Sequence, residues 1–414
     1  MDLQHLIQRV NLQDRRNRYL ALTAPIVAYA SVKLVYSLVS AYTARTDKII
    51  RSPRASLQLL SAQRLEDLPY PPNALPGGRD VDTPYGNIRV YEWGPEDGHK
   101  VLFVHGISTP CIALASLAKA LVEQGCRVML FDLFGRGYSD TPDPRQYHQD
   151  AQLFTSQILL VLASSQLAWT GSDRFTLVGY SLGGGVSASF TSYFPELVES
   201  LVLIAPAGLI RPGHISRSSR LLYGAVLPEA VAEYFIYWRL KGGSGVPFGK
   251  RRPKVSGETK TTPVGAAESE VPEHPAHAAN SLAPIFPDRP GISPANAVNW
   301  QLDAHPGFLS AFISSIKHAP ITQQHERWRL IGRRQVAARI SAEPAEKAQQ
   351  GLKEGKVLIL LGKQDKVIIS DEVEEDATAV LGKENVTVIR LEGAHDVPVV
   401  NAQGCVDALL DFWG

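Results

Sequence analysis

The chain has 414 residues, of which 44% are hydrophobic and 20% charged. That is enough apolar material for a sizeable core, and it excludes a wholly disordered chain. Lys and Arg (42) balance Asp and Glu (41) for a formal net charge of +1, which argues against a general nucleic-acid binder. Three cysteines, Cys111, Cys126 and Cys405, leave room for one bridge but not for a dense disulfide framework. So sparse a set points to a reducing, intracellular compartment. No CxxC pair or Cys/His cluster calls for zinc.

The N-terminal segment, residues 1–60, differs from the rest. It carries nine Lys/Arg against three Asp and no Glu, a local excess of six positive charges. Within it, residues 20–42 form an apolar run broken by one charge, Lys33. At about 1.5 Å of rise per residue such a run reaches across a bilayer. Pro25 and several Ser, Thr and Tyr dilute it, and basic residues flank both sides, so charge asymmetry sets no orientation. The apolar stretch starts too late, and lacks the small-residue site, for a cleaved secretory signal. Three readings stay open: a membrane anchor, spanning or interfacial; an Arg-rich, acid-poor mitochondrial leader; or a helix packed on the globular body.

From about residue 80 the chain alternates short β-branched runs with longer amphipathic stretches. Strands are predicted at Asn87–Trp93, Val101–His105, Arg127–Asp132, Arg174–Tyr180, Ser200–Ala205, Lys356–Leu361 and Val386–Leu391. Most are continuous apolar runs, as strands covered on both faces require. Ile112–Gln124, Ala151–Gln166 and Glu372–Leu381 read as helices between them. The pattern is βαβ, so the expected fold is α/β: a mostly parallel central sheet with helices on both faces.

The gap from Pro206 to Gly355 is far too long for one crossover and implies an inserted subdomain. The expected division is a core over residues 80–210, a helical cap insertion over 211–350, and the second part of the core over 351–414. The insertion opens with an aromatic and aliphatic stretch, Leu221–Leu240. Residues 242–280 are rich in Gly, Pro and charge and read as disordered, and Ala295–Arg339 reads as helical again.

Gly179-Tyr180-Ser181-Leu182-Gly183 is a G-x-S-x-G sequence between a predicted strand and a helix of small residues. A strand-to-helix elbow forces the serine into a strained conformation and lifts its hydroxyl above the sheet, beside a helix N-terminus. A hydroxyl needs a base, and the base an orienting acid. His395 follows the last predicted strand and Asp365 the one before it, both at carboxyl ends, where α/β enzymes place their sites. Asp371 is a rival acid but reads as the cap of the helix starting at Glu372, and Asp396 is too close in sequence to bond the ring of His395. His105-Gly106 ends a strand, and the loop after it offers a backbone N–H, that of Ile107, to an oxyanion. The N–H of Leu182 is the second expected donor. His105 itself reads as loop-shaping, and Asp132 and Arg136 in the loop Asp132–Asp140 as structural. No phosphate-binding fingerprint is present.

Taken in order, His105-Gly106, the Asp132–Asp140 loop, Gly179–Gly183, Asp365 and His395 resemble the α/β-hydrolase superfamily, in the group of serine hydrolases with a helical cap. The resemblance covers residues 80–414. It implies a nucleophile Ser181, a base His395 and an orienting acid Asp365, with Ile107 and Leu182 as oxyanion donors and no metal or organic cofactor. Enzymes of this superfamily that carry Asp where Ser181 stands, the haloalkane dehalogenases and epoxide hydrolases, are disfavoured.

The expected activity is cleavage of a small-molecule carboxylic ester, lipophilic if the aromatic start of the cap lines an acyl pocket. Peptidases, amidases and carbon–carbon hydrolases share the same motifs. Glu229 and Glu233 could hold an amine, but they read first as solvated helix positions. A binding protein that kept the fold without the reaction is the alternative of another class.

Overall fold

The computed structural model describes residues 15–42, 48–171, 173–211, 229–241, 282–341, 351–352 and 355–414. The expected disordered stretch, residues 242–280, lies outside the described residues, as does the start of the aromatic stretch at 221–228. The chain divides into two compact units, residues 1–47 with 228–231, and the remainder.

The first unit contains α1 (Arg15–Tyr42), a helix of 28 residues with Pro25 inside it. Proline there removes one intrahelical hydrogen bond. Among the described residues no helix is long and apolar enough to cross a membrane. The apolar run at residues 20–42 lies within α1. Lys33, Pro25 and the interspersed Ser, Thr and Tyr interrupt that run. A lysine alone costs about 2.5–3.5 kcal/mol at a bilayer centre.

The second unit begins at residue 48, earlier than the composition suggests. Ile49 and Ile50 pair antiparallel with Pro142 and Thr141, and the amide of Ser52 donates to Asp140 Oδ1. Residues 48–60 are therefore part of this body.

Its sheet has eight strands: β1 (Gly78–Val81), β2 (Ile88–Trp93), β3 (Lys100–Val104), β4 (Arg127–Phe131), β5 (Phe175–Tyr180), β6 (Val198–Ile204), β7 (Val357–Gly362) and β8 (Val386–Leu391). They lie in the order β8-β7-β6-β5-β3-β4-β2-β1. The pairs from β8 through β4 are parallel, whereas β2 runs antiparallel to both β4 and β1. Every residue of β5 and β7 is buried, so both faces of the sheet centre are covered. This is why these strands read as unbroken apolar runs. Strand β1 has no such signature: Gly-Arg-Asp-Val is short, charged and half-exposed at the sheet edge. Such edges resist pairing with other chains and leave little hydrophobic pattern to read.

Parallel neighbours need crossovers. These are α2 (Ala115–Glu123) after β3, α3 (Ala151–Ala163) after β4, and α4 (Leu182–Tyr193) after β5. Asp150 caps α3 by accepting from the amide of Leu153 at 2.9 Å. Between β6 and β7 come α5 (Glu229–Leu240), α6 (Pro294–Ala304), α7 (Phe308–His318) and α8 (His325–Ile340). Then α9 (Ser370–Leu381) and α10 (Ala402–Trp413) follow the last two strands. Ser293 at the N-cap and Pro294 in the first turn fix where α6 begins. In α5, Ile236 and Leu240 are buried, while Tyr234 is 61% and Trp238 41% exposed. The buried positions of that helix are thus aliphatic, and Tyr234 and Trp238 lie on its exposed side.

The inserted helices are seated by buried polar contacts as well as by apolar ones. His305, just past α6, accepts from the amide of Gly307 at Nδ1 and donates from Nε2 to the carbonyl of Ser139 at 3.0 Å. His105, at the end of β3, accepts from the amide of Leu133 at Nε2 and donates from Nδ1 to the carbonyl of Gly106, both at 2.8 Å. Each ring is neutral with its tautomer set by its partners. Burial pulls His305 down to about 4 and His105 to about 3.

The unfolded chain takes up protons at these rings below the ordinary value of 6.5, and the folded chain does not. The folded state therefore carries no protonation penalty from these rings above that value, and loses stability as pH falls from it toward 4. Each ring contributes up to about 1.4 kcal/mol per pH step in this window. Thermal melts across it should show a falling Tm, and His305→Gln should flatten the slope. A variant with the wild-type slope would show that His305 has no part in the acid sensitivity.

Candidate active site

Ser181 sits at the turn between β5 and α4 with φ 53° and ψ −119°. A non-glycine residue held there costs about 1–3 kcal/mol. Three backbone bonds hold it: its amide donates to Ile204, and its carbonyl accepts from Gly184 and Ala207, all at 2.9–3.0 Å. Gly183 permits the close approach that the turn needs, because a Cβ there would come within 2.0 Å of the Val104 carbonyl oxygen. Ser181 occupies the N-cap of α4, yet its side chain makes no capping bond. Its Oγ lies instead 3.0 Å from His395 Nε2.

His395 is in the loop after β8 and Asp365 in the loop after β7. Gly362 lets these loops close on each other, since a Cβ there would meet the Ala394 carbonyl oxygen at 2.2 Å. The amide of Gln364 donates to the carbonyl of Gly393, and the amide of Gly393 returns a bond to Gln364 Oε1. In this frame His395 Nδ1 lies 2.9 Å from Asp365 Oδ2. The other carboxylate oxygen, Oδ1, accepts from the amides of Val367 and Ile368 at 2.7 and 2.9 Å. Both oxygens of Asp365 are thus directed, and the ring proton sits on Nδ1 with Nε2 turned to the serine. Ser181 is 3% and His395 2% exposed. Such burial strengthens every electrostatic interaction in the set. A hydroxyl, an imidazole and a carboxylate in this sequence can pass a proton from oxygen to nitrogen while the carboxylate steadies the imidazolium.

The two rival acids lie elsewhere. Asp371 is in the first turn of α9 and ion-pairs with Arg390 at 2.7 Å. The N-cap of that helix is Ile369, so the capping role expected of Asp371 is corrected. Asp396 begins the short helical turn Val397–Val400.

Leu182 is the first residue of α4, where amides have no intrahelical acceptor. Ile107 is buried in the loop after β3. That loop is held by side chains. His105 takes the carbonyl of Gly106 and is used up in doing so, Arg136 Nε donates to the carbonyl of Ile107 at 2.9 Å, and Gln301 Nε2 donates to that of Ser108 at 2.9 Å. Arg136 is wholly buried, and its other bonds go to the carbonyl of Phe134 and to Ser315 Oγ. With only neutral oxygens around it, burial pulls its pKa down to about 9. Asp132 in the same loop accepts from the amides of Cys111 and Tyr138 and from the Tyr70 hydroxyl, and burial raises its pKa.

The involvement of Gln301 had no signal in the sequence. It lies 193 residues from Ser108, and a glutamine on an amphipathic helix reads as solvated. Arg136 could have been found from its setting, since an arginine between two glycines beside a strand end is well placed to turn inward. Among the described residues no cluster of His, Cys, Asp or Glu could hold a metal ion.

Residues 100–238 match the family model described as alpha/beta hydrolase fold. A serine hydrolase-like protein of Danio rerio is 31% identical over 131 residues, which are 31% of this chain and 38% of the relative. A serine hydrolase-like protein of Homo sapiens is 33% identical over 135 residues, 32% of this chain and 63% of the relative. The chain thus spans less than two thirds of the length of either. Among solved structures, a putative lipase (lip1) from Acinetobacter baumannii AYE aligns over 89% of this chain and 98% of its own, with a TM-score of 0.53 and 15% identity. At that identity the likeness concerns the fold alone. The strand order, the elbow at Ser181 and the family match agree on an α/β-hydrolase fold.

Proposed function

We propose that the protein is a serine hydrolase that cleaves a lipophilic carboxylic ester through an acyl-enzyme. The observation that carries this reading is the buried sequence Ser181 Oγ, His395 Nε2, His395 Nδ1, Asp365 Oδ2, with contacts of 3.0 and 2.9 Å. Ser181 Oγ attacks the acyl carbon, and its proton passes to His395 Nε2. The carbonyl oxygen becomes an oxyanion held by the amides of Ile107 and Leu182. The ester C–O bond then breaks, and His395 returns the proton to the leaving alcohol. Water attacks the acyl-enzyme with His395 again as base, which frees the acid and restores Ser181. Asp365 keeps the imidazole tautomer and steadies its charged form. In this reading the inserted helices form a cap over the site, and the aromatic and aliphatic stretch that opens the insertion argues for a lipophilic acyl group.

A fluorophosphonate probe should label the protein, and Ser181→Ala and His395→Ala should each abolish labelling. Label that survives Ser181→Ala would sink the assignment. Asp365→Asn is informative in another way. An asparagine oxygen can still accept from Val367 and Ile368, while its NH₂ faces Nδ1 and forces the wrong tautomer. The expected result is a kcat lower by about 10⁴ with a nearly unchanged Tm. A loss of tenfold or less would leave the aspartate a structural role only.

Substrate class is tested by p-nitrophenyl esters of graded chain length beside aminoacyl arylamides. The expected outcome is ester turnover that improves with chain length. Preference for the arylamides would favour a peptidase or amidase.

We also propose that residues 20–42 lie on a membrane surface. Support comes from the exposed Ile26, Val32 and Leu34 of α1 and from the basic excess of residues 1–60. The full chain should sediment with anionic vesicles, and removal of residues 1–47 should release it. A full chain that stays in the supernatant would refute this.

A further inference from the structure

We propose that the inserted helices tune the reaction itself, and that Gln301 of α6 is the positioning residue through which they do so. This rests on the reading of Ile107 as an oxyanion donor. The side chain of Gln301 is fully buried and uses both ends of its amide. Nε2 donates to the carbonyl of Ser108 at 2.9 Å, and Oε1 accepts from the amide of Gly137 at 2.7 Å. One planar group from the insertion therefore ties the loop after β3 to the loop after β4.

The loop after β3 has three consecutive carbonyls held by side chains: Gly106 by the adjacent His105, Ile107 by Arg136 and Ser108 by Gln301. Peptide units are planar, and none here is cis. A carbonyl held at one edge thus fixes the direction of the N–H at the other. The bond from His105 to Gly106 sets the Ile107 N–H in this way. The next two planes keep that peptide from rotating, and both lead to the insertion. Gln301 belongs to α6, and Arg136 is itself held by Ser315 of α7 at 2.8 Å.

An oxyanion donor must lie about 2.7–3.1 Å from the oxygen as it becomes charged. A displacement of about 1 Å can cost on the order of a hundredfold in rate. The first loop is therefore not a self-contained part of the core. Without the inserted helices it loses the bond from Gln301, Arg136 loses its anchor at Ser315, and the donor the loop presents would drift. Removing the Gln301 amide should reduce transition-state stabilisation and leave ground-state binding of the ester largely as it was, since Gln301 touches the loop rather than the acyl group. A glutamine that merely docked the insertion would affect stability and not this partition.

Gln301→Met keeps the volume and the helix but deletes both hydrogen bonds. The expected result is a kcat lower by about 10- to 100-fold with KM within about twofold. Affinity for an alkyl trifluoromethyl ketone, which becomes an oxyanion on Ser181, should fall by the same factor. Affinity for the matching secondary alcohol, which forms no oxyanion, should stay. If kcat and ketone affinity remain within about twofold of wild type, the inference is overturned, whatever happens to Tm. Should Gln301→Met fail to fold, Ser315→Ala releases Arg136 from α7 and is measured in the same two ways. A joint fall in kcat and ketone affinity then supports the inference, and no change in either overturns it. Fluorophosphonate labelling of the wild type tells the two possible failures apart. An unlabelled wild type removes the enzyme reading and this inference with it, whereas a labelled wild type with an indifferent Gln301→Met removes this inference alone.

Discussion

The arrangement depends on one strained residue. Ser181 holds a backbone conformation that L-residues avoid, and it does so because three backbone bonds and the close contact at Gly183 leave the chain no relaxed alternative. A relaxed turn would let the hydroxyl cap α4 in the ordinary way, bonding to the amides of the first turn. Strain instead directs it across the sheet edge to His395. The rest of the site is arranged to meet that direction, with two further strand ends brought to the same edge and zipped by the paired bonds of Gln364 and Gly393.

Around this lies a set of buried polar groups that stability alone would not select. Arg136 is enclosed with neutral acceptors, Asp132 is enclosed with amides and a phenol, and His105 and His305 are kept neutral by burial. Each costs desolvation that hydrogen bonds only partly offset. What they supply is direction, because each fixes a particular peptide or loop rather than filling space. Loops after β3 and β4 would otherwise have many conformations of similar energy, and apolar packing is too indifferent to orientation to choose among them.

The helical insertion and the core are consequently less separable than the word insertion suggests. Gln301, His305 and Ser315 all reach loops that belong to the sheet edge. The N-terminal helix α1 is different. It belongs to another unit.

The sequence by itself determined the sheet centre, because strands buried on both faces must be apolar throughout and so announce themselves. It also determined the order in which Ser181, Asp365 and His395 meet the carboxyl ends of strands, since the elbow needs small residues at fixed offsets. Edge elements escaped it: β1 and the pairing of Ile49–Ile50 with Thr141–Pro142 are too short and too polar to carry a periodic pattern. Only the tertiary structure decided which buried polar side chains hold which carbonyls. Gln301 and Ser108 are 193 residues apart, and nothing local distinguishes a glutamine that faces water from one that clamps a loop. A hydrogen bond between distant segments depends on the packing that brings them together, and that packing is a property of the whole chain.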